Sequence, residues 1–372
     1  MSELKQFDKK QMHMRPLSER RNFVSITKSS ADPHAPVDDL PESLDARINT
    51  IADQIISARK QGASVICAFG AHTIKNGLGR VLAALIKHGW VTHLATNGAG
   101  VIHDWEFSYQ GESSEDVRTN VQEGKFGTWD ETGLYINLAL AVGAYQGLGY
   151  GQSIGALISA DGIMIPGREH LRQDIRKEDT KLWKRAAAAD LLALLDDLGL
   201  PEGFMKVGHP FASYSIQAAA YDLDVPFTSH PMFGHDIIYT HPANRGAVIG
   251  RTAERDFLSY VKSISNLEGG VYLSVGSAVM SPMIFEKSLS MARNVLLPQG
   301  RDIRNCSIQV VDLQKETWDW SRGEPDKDNP AYYLRFMKTF SRMGCPVDYL
   351  SADNKQFLTG LFQRLLERDG KE

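Results

Sequence analysis

The chain has 372 residues, 42% hydrophobic and 23% charged, the balance of a soluble globular protein of one large or two ordinary domains. Lys and Arg number 41 against 45 Asp and Glu, a net charge of −4, so no global attraction to nucleic acid or to an anionic membrane is expected. No apolar run approaches the roughly 20 residues needed to cross a bilayer. Cys67, Cys306 and Cys345 are too few and too scattered for a disulfide or zinc framework, and residues 1–16 lack a signal-peptide core, so a cytoplasmic setting is expected.

Residues 1–42 read as an irregular arm, with Pro16, Pro33, Pro36 and Pro41 among charged and small polar residues. A single domain is expected over 43–372. Leu44, Ile48, Ile51, Ile55 and Ile56 recur at helical steps as far as Lys60. A buried strand follows over 64–69, an amphipathic helix over 78–88, and a second strand over 91–96. Further helices are predicted near 131–147, 181–198, 213–221, 252–264, 282–294, 330–342 and 354–368. Strands are predicted at 225–227, 271–275 and 307–311. Strands alternating with helices of this length imply βαβ units, hence an α/β fold with a Rossmann-like parallel sheet and helices on both faces.

In such sheets ligands gather beyond the carboxyl ends of the strands. Three predicted strand ends carry small residues: Gly70 to Gly77, Thr96 to Gly100, and Val275 to Ala278. Backbone N–H groups at these turns suit a phosphate or pyrophosphate. Gly98 and Gly100 begin a dinucleotide fingerprint, but His103 takes the third glycine position. His103 and His235 are acid–base candidates, because imidazole titrates near neutral pH. Histidine spacing gives no metal motif, and no metal is expected. Gly151-Gln152-Ser153-Ile154-Gly155 matches a nucleophile elbow, yet it follows a predicted helix instead of a strand. Asp130 and Glu131 sit at a predicted helix start, where capping accounts for them.

Taken in order, these segments resemble deoxyhypusine synthase. The likeness runs through Ala71-His72-Thr73-Ile74-Lys75-Asn76-Gly77, Val91 to Val101, Gly234-His235-Asp236, Gly269 to Val279 and Ala352-Asp353-Asn354, roughly residues 60–365. The resemblance implies NAD lying across Ala71, His72, Thr73, Ile74 and Lys75; Asn97, Gly98, Ala99 and Gly100; Gly276 and Ser277; and Asp353 and Asn354. It also implies Asp236 facing the substrate, a homotetramer, and an N-terminal arm able to cover the site.

Departures fall on the chemical half of that signature. Tyr333 stands where the family has its catalytic lysine, and Lys338 falls about five positions late in an ungapped count. A tyrosine cannot form the Schiff base that a desolvated lysine forms. Ile102 and His103 replace glutamates, and Ser281-Pro282 replaces a histidine. The expectation is an NAD-dependent enzyme abstracting hydride from a small substrate other than spermidine. His103, Asp104 and Asp236 would supply acid–base or orienting groups, and Lys75 would contact an anion or the cofactor. Aminobutyl transfer from spermidine to a protein lysine, through Lys338, and a non-catalytic NAD-binding protein are the alternatives.

Overall fold

A computed structural model describes residues 5–37 and 40–370 of the chain. Ten strands occur among them: β1 (Asn22–Ser25), β2 (Val65–Phe69), β3 (His93–Thr96), β4 (Glu112–Glu115), β5 (Gly162–Ile165), β6 (Gly203–Lys206), β7 (Phe227–Ser229), β8 (Val271–Val275), β9 (Ser307–Asp312) and β10 (Val347–Ser351). Six form one parallel sheet in the order β10-β9-β8-β2-β3-β7. The chain enters at the centre with β2 and builds outward through β3 to β7. It then returns to lay β8 on the other side of β2 and builds outward again to β10. This is a doubly wound sheet whose order reverses between β2 and β8.

Every residue of β2 and β8 is buried, as expected of parallel strands covered on both faces. Side chains alternate along β2. Val65, Cys67 and Phe69 enter the core made with helices Glu42–Lys60, Gly79–Lys87 and Asn354–Asp369. Ile66 and Ala68 enter a second core with helices Gly246–Ile264, Met280–Leu296 and Arg335–Ser341. The α/β class with both faces covered agrees with the sequence pattern. No helix among the described residues is long and apolar enough to cross a membrane.

Between β3 and β7 the chain makes a large, mainly helical excursion. It includes helices Gly98–Gln110, Asp130–Gln146, Tyr150–Ser159, Leu182–Leu198 and Ile216–Asp222, and the antiparallel β5–β6 pair. Residues 1–42 are less irregular than predicted. Residues 1–4 and 38–39 lie outside the described residues, but Asn22–Ser25 forms β1, antiparallel to β4, and Ile26–Ser29 is a helical turn. Helices Gly98–Gln110 and Tyr150–Ser159 and strand β10 have no counterpart in the sequence reading. The predicted helix at 330–342 is instead a 3₁₀ turn, Pro330–Tyr333, followed by Arg335–Ser341.

Candidate functional site

Loops from three strands meet where the sheet order reverses. Gly70 ends β2 and its N–H donates to Val275 O at 3.0 Å. Gly276 ends β8, with φ +57°, and its N–H donates to Val311 O at 2.9 Å. A Cβ on Gly70 would come to 2.0 Å from Gly276 O, so only glycine lets these loops touch. After β10, Asn354 Nδ2 donates to Thr73 Oγ1 at 3.2 Å. Thr73, Gly276 and Asn354, far apart in sequence, therefore meet beyond the carboxyl ends of the strands. Two neighbours serve local caps: Asp353 accepts from the N–H groups of Lys355 and Gln356, and Ser277 Oγ accepts from Ser281 N–H.

The next strand end opens helix Gly98–Gln110. Asn97 caps it by accepting from Gly100 N–H at 2.9 Å, and Gly100 lets the turn pack on Thr96. The amides of Gly98 and Ala99 donate to no acceptor among the described residues. They lie at the positive end of a thirteen-residue helix, which suits the pyrophosphate of a dinucleotide.

Beside this helix start lies a cavity of about 200 Å³ lined by Lys75, Ala99, His103, Glu106, Glu115 and Asp236, with Arg20 reaching in from the N-terminal segment. Arg20 grips Glu106 in a two-pronged ion pair at 2.7 and 2.6 Å, both side chains being buried. Burial pushes the Glu106 carboxyl up, but the Arg20 charge and its hydrogen bonds outweigh this and hold it below the usual glutamate range. Ser113 Oγ donates to Glu106, which as a carboxylate can only accept. The contact of 2.7 Å between Ser113 Oγ and His103 Nδ1 must then be a donation from His103. That fixes the tautomer with Nε2 bare, on a ring that lines the cavity. Burial pushes His103 down to about 4, so the ring is neutral at physiological pH. Burial also raises the Glu115 carboxyl, against hydrogen bonds from Trp129 Nε1 and Asn120 Nδ2.

Asp236 is the least compensated acid here. Burial raises it to about 6, and its Oδ2 has no hydrogen-bond partner. That oxygen rests on Gly98, where a Cβ would come within 2.1 Å of it. The Tyr239 hydroxyl stands close enough to favour the ionised carboxyl, but without the alignment of a hydrogen bond. Tyr150, fully buried, also has an unbonded hydroxyl, and burial and then the Asp236 charge push its ionisation well above the usual tyrosine range. Buried polar groups without partners are few in native folds, and here three converge.

Lys75, Ala99, His103 and Asp236, all picked out in the sequence, thus come together. Asp104 does not join them. Its carboxylate accepts from Ser215 Oγ, the N–H groups of Ile216 and Gln217, and Gln217 Nε2, capping helix Ile216–Asp222 from across the fold. Lys338 is also elsewhere: its Nζ pairs with Glu324 at 3.3 Å and lies 3.4 Å above the Tyr332 ring. Of the remaining sequence candidates, His72 is exposed and Ile74 lies in the core. His235 borders the cavity. Ser153 sits inside helix Tyr150–Ser159 with its hydroxyl donated to Gly149 O, which is no elbow. No cluster of metal ligands occurs among the described residues.

Arg20, Glu106, Glu115, Tyr150 and Tyr239 escaped the sequence reading. A larger groove of about 750 Å³ follows the edge of β7. Two of its charged groups are occupied: Arg255 donates to Ala144 O and Leu148 O, and Asp256 accepts from the N–H groups of Gly151 and Ser229.

No family model matches the chain, and no curated protein matches it. Among solved structures, it is similar to a conserved LOR/SDH protein from Methanococcus maripaludis S2, at 12% identity and a TM-score of 0.43, covering 90% of this chain and 70% of that one. AgrE in a ternary complex with ornithine and NAD+ is similar at 14% identity and a TM-score of 0.45, over 89% of this chain and 34% of that one. ArgZ, a cyanobacterial arginine dihydrolase, is similar at 14% identity and a TM-score of 0.42, over 87% and 33%. The chain spans about a third of the length of AgrE and ArgZ. At such identities and scores these likenesses bear on neither activity nor substrate.

Proposed function

We propose that the chain is an NAD-dependent enzyme that removes hydride from a small-molecule substrate held in the cavity beside helix Gly98–Gln110. One observation carries the reading: the doubly wound sheet reverses order between β2 and β8, and Lys75 and Ala99, from the segments that follow β2 and β3, line a cavity rich in acid–base groups. The loops at 70–75, 97–100 and 276–277, with Asn354, would hold the dinucleotide. NAD, when bound, supplies the hydride acceptor.

This chain's own residues supply the rest. The free amides of Gly98 and Ala99 would take the pyrophosphate. Asp236, ionised above about pH 6, would receive the proton released as hydride leaves. The neutral His103 ring, held by Ser113 and Glu106, would orient a substrate donor on its bare Nε2. Lysine-dependent aminobutyl transfer finds no support, because Lys338 is paired with Glu324 and does not line the cavity. A homotetramer remains a proposal from the family resemblance.

Titration calorimetry and thermal shift with NAD+ and NADH test the cofactor. Binding heat and a raised melting temperature are expected, and their joint absence under saturating nucleotide refutes the assignment. A screen of small alcohols and amines, followed by NADH absorbance, tests the chemistry. Binding without turnover of either class leaves a non-catalytic NAD-binding protein.

A further inference from the structure

Two of the three cysteines meet at the amino end of the sheet, away from the cavity. Cys306 precedes β9 and Cys345 precedes β10. The parallel register pairs Ile308 with Val347, and Ile308 N–H donates to Pro346 O at 2.9 Å. Carried back two residues, that register sets Cys306 beside Cys345 at about the 4.8 Å spacing of neighbouring strands. This lies inside the range of about 4.4–6.8 Å between Cα atoms that a disulfide bridges. Both side chains belong to the same core, Cys306 fully buried and Cys345 8% exposed.

The surroundings make the two thiols unequal. Arg293 Nη2 lies 3.9 Å from Cys345 Sγ and is fixed there by bonds to the carbonyls of Met343 and Ile303 and by an ion pair with Asp302 at 3.2 Å, while the Cys345 thiol donates to Ile303 O at 3.7 Å. The neighbouring Cys306 thiol, against burial and with help from Arg293, favours the Cys345 thiolate and holds it below the ordinary cysteine range. Thiolates beside a fixed cation are the reactive form of cysteine. Cys67 is the internal contrast: it is fully buried in β2, and burial pushes its thiol up to about 12.

We propose that Cys345 and Cys306 form a peroxide-reactive dithiol, with Cys345 attacked first and Cys306 resolving. The Cys345 thiolate takes one oxygen of hydrogen peroxide, the O–O bond breaks, and the departing hydroxide is protonated to water, leaving a sulfenic acid. Cys306 sulfur then attacks Cys345 sulfur, the S–OH bond breaks, and a second water leaves with the Cys306 proton. Two thiols and one peroxide give one disulfide and two waters: sulfur is oxidised and peroxide oxygen reduced. The bridge ties the start of β9 to the start of β10 and is independent of any cofactor.

The test treats the folded full-length chain with a small excess of hydrogen peroxide. The chain is then quenched, unfolded and alkylated with N-ethylmaleimide, and the masses of chain and peptides are read. One alkylated thiol, Cys67, and a Cys306–Cys345 cross-linked peptide removed by dithiothreitol are expected. Three alkylated thiols, oxygen adducts without a cross-link, or the mixture of pairings given by the urea-unfolded chain overturn the proposal. Cys306→Ser is expected to strand Cys345 as a sulfenic acid that dimedone labels. If that variant does not fold, the peptide map of the unaltered chain decides.

Discussion

Asp236 combines an energetic cost with a chemical use. Its carboxyl is raised by burial to about 6, above the ordinary unfolded value of about 3.9. A raised acid contributes stability that is fully present below the unfolded value and is lost as pH rises through the folded one. Between roughly pH 4 and 6, this group therefore makes the protein less stable as pH increases, to the extent of about 3 kcal/mol. Asp236→Asn removes the charge that folding opposes. It is expected to raise the melting temperature at pH 7 while abolishing hydride transfer; an unchanged rate would remove Asp236 from the chemistry. In the unaltered enzyme, kcat/KM should fall on the acid side near pH 6, and Tyr239→Phe should move that limb to higher pH, because Tyr239 favours the ionised carboxyl. His103, pushed down to about 4, is the wrong group for such a limb.

Asp104, next to His103 in sequence, predicts a contrasting outcome. Asp104→Ala strands the buried donors of Ser215, Ile216 and Gln217, a loss of about 1–3 kcal/mol. Urea denaturation should register that loss, while KM for NAD+ stays unchanged in the folded fraction. A large rise in KM with unaltered stability would return Asp104 to the site. Adjacent positions on a helix point about 100° apart, so one can line a cavity while the other caps a neighbouring helix.

At the scale of elements, the N-terminal segment is joined to helix Gly98–Gln110 by the Arg20–Glu106 pair, 86 residues apart in sequence. Removing one partner of a buried pair leaves the other charge uncompensated, at about 3–5 kcal/mol. Arg20→Met alone should unfold at markedly lower urea, and Glu106→Gln added to it should recover much of the loss. If the double variant is no better than the single one, the pair is not what holds the segment down. No sequence signal announces this contact, since it depends on the tertiary fold alone. Helix Gly98–Gln110 was hidden for a related reason. It is buried on nearly every side, from Gly98 through Ile102, Trp105 and Phe107, so no amphipathic period marks it, and its opening glycines read as a loop. Tyr150–Ser159 is similarly enclosed. By contrast, Glu42–Lys60 keeps one buried and one exposed face, and its pattern was legible as far as Lys60.

Over the whole molecule, alternation of strands and helices was enough to give a parallel sheet, because apolar runs bounded by glycine are a local property. Strand order is not local. Nothing in the sequence of β8 states that it lies beside β2, yet this adjacency brings the two loops together. Gly70 and Gly276 make it possible by letting the two loops touch, and they predict how it can be broken. Gly70→Ala drives a Cβ into the carbonyl of Gly276, a backbone atom that can move only if β2 and β8 separate at their carboxyl ends. Gly276→Ala strains a left-handed residue by about 1–2 kcal/mol and presses on the Asn354 side chain, which is removable. Both variants should lose stability and the thermal shift given by NAD+. Adding Asn354→Ala should restore part of the stability of Gly276→Ala and none of that of Gly70→Ala. Nucleotide thermal shifts undiminished in both single variants would mean that the dinucleotide lies elsewhere, since a ligand seated where the sheet reverses cannot be indifferent to the two loops that form its floor.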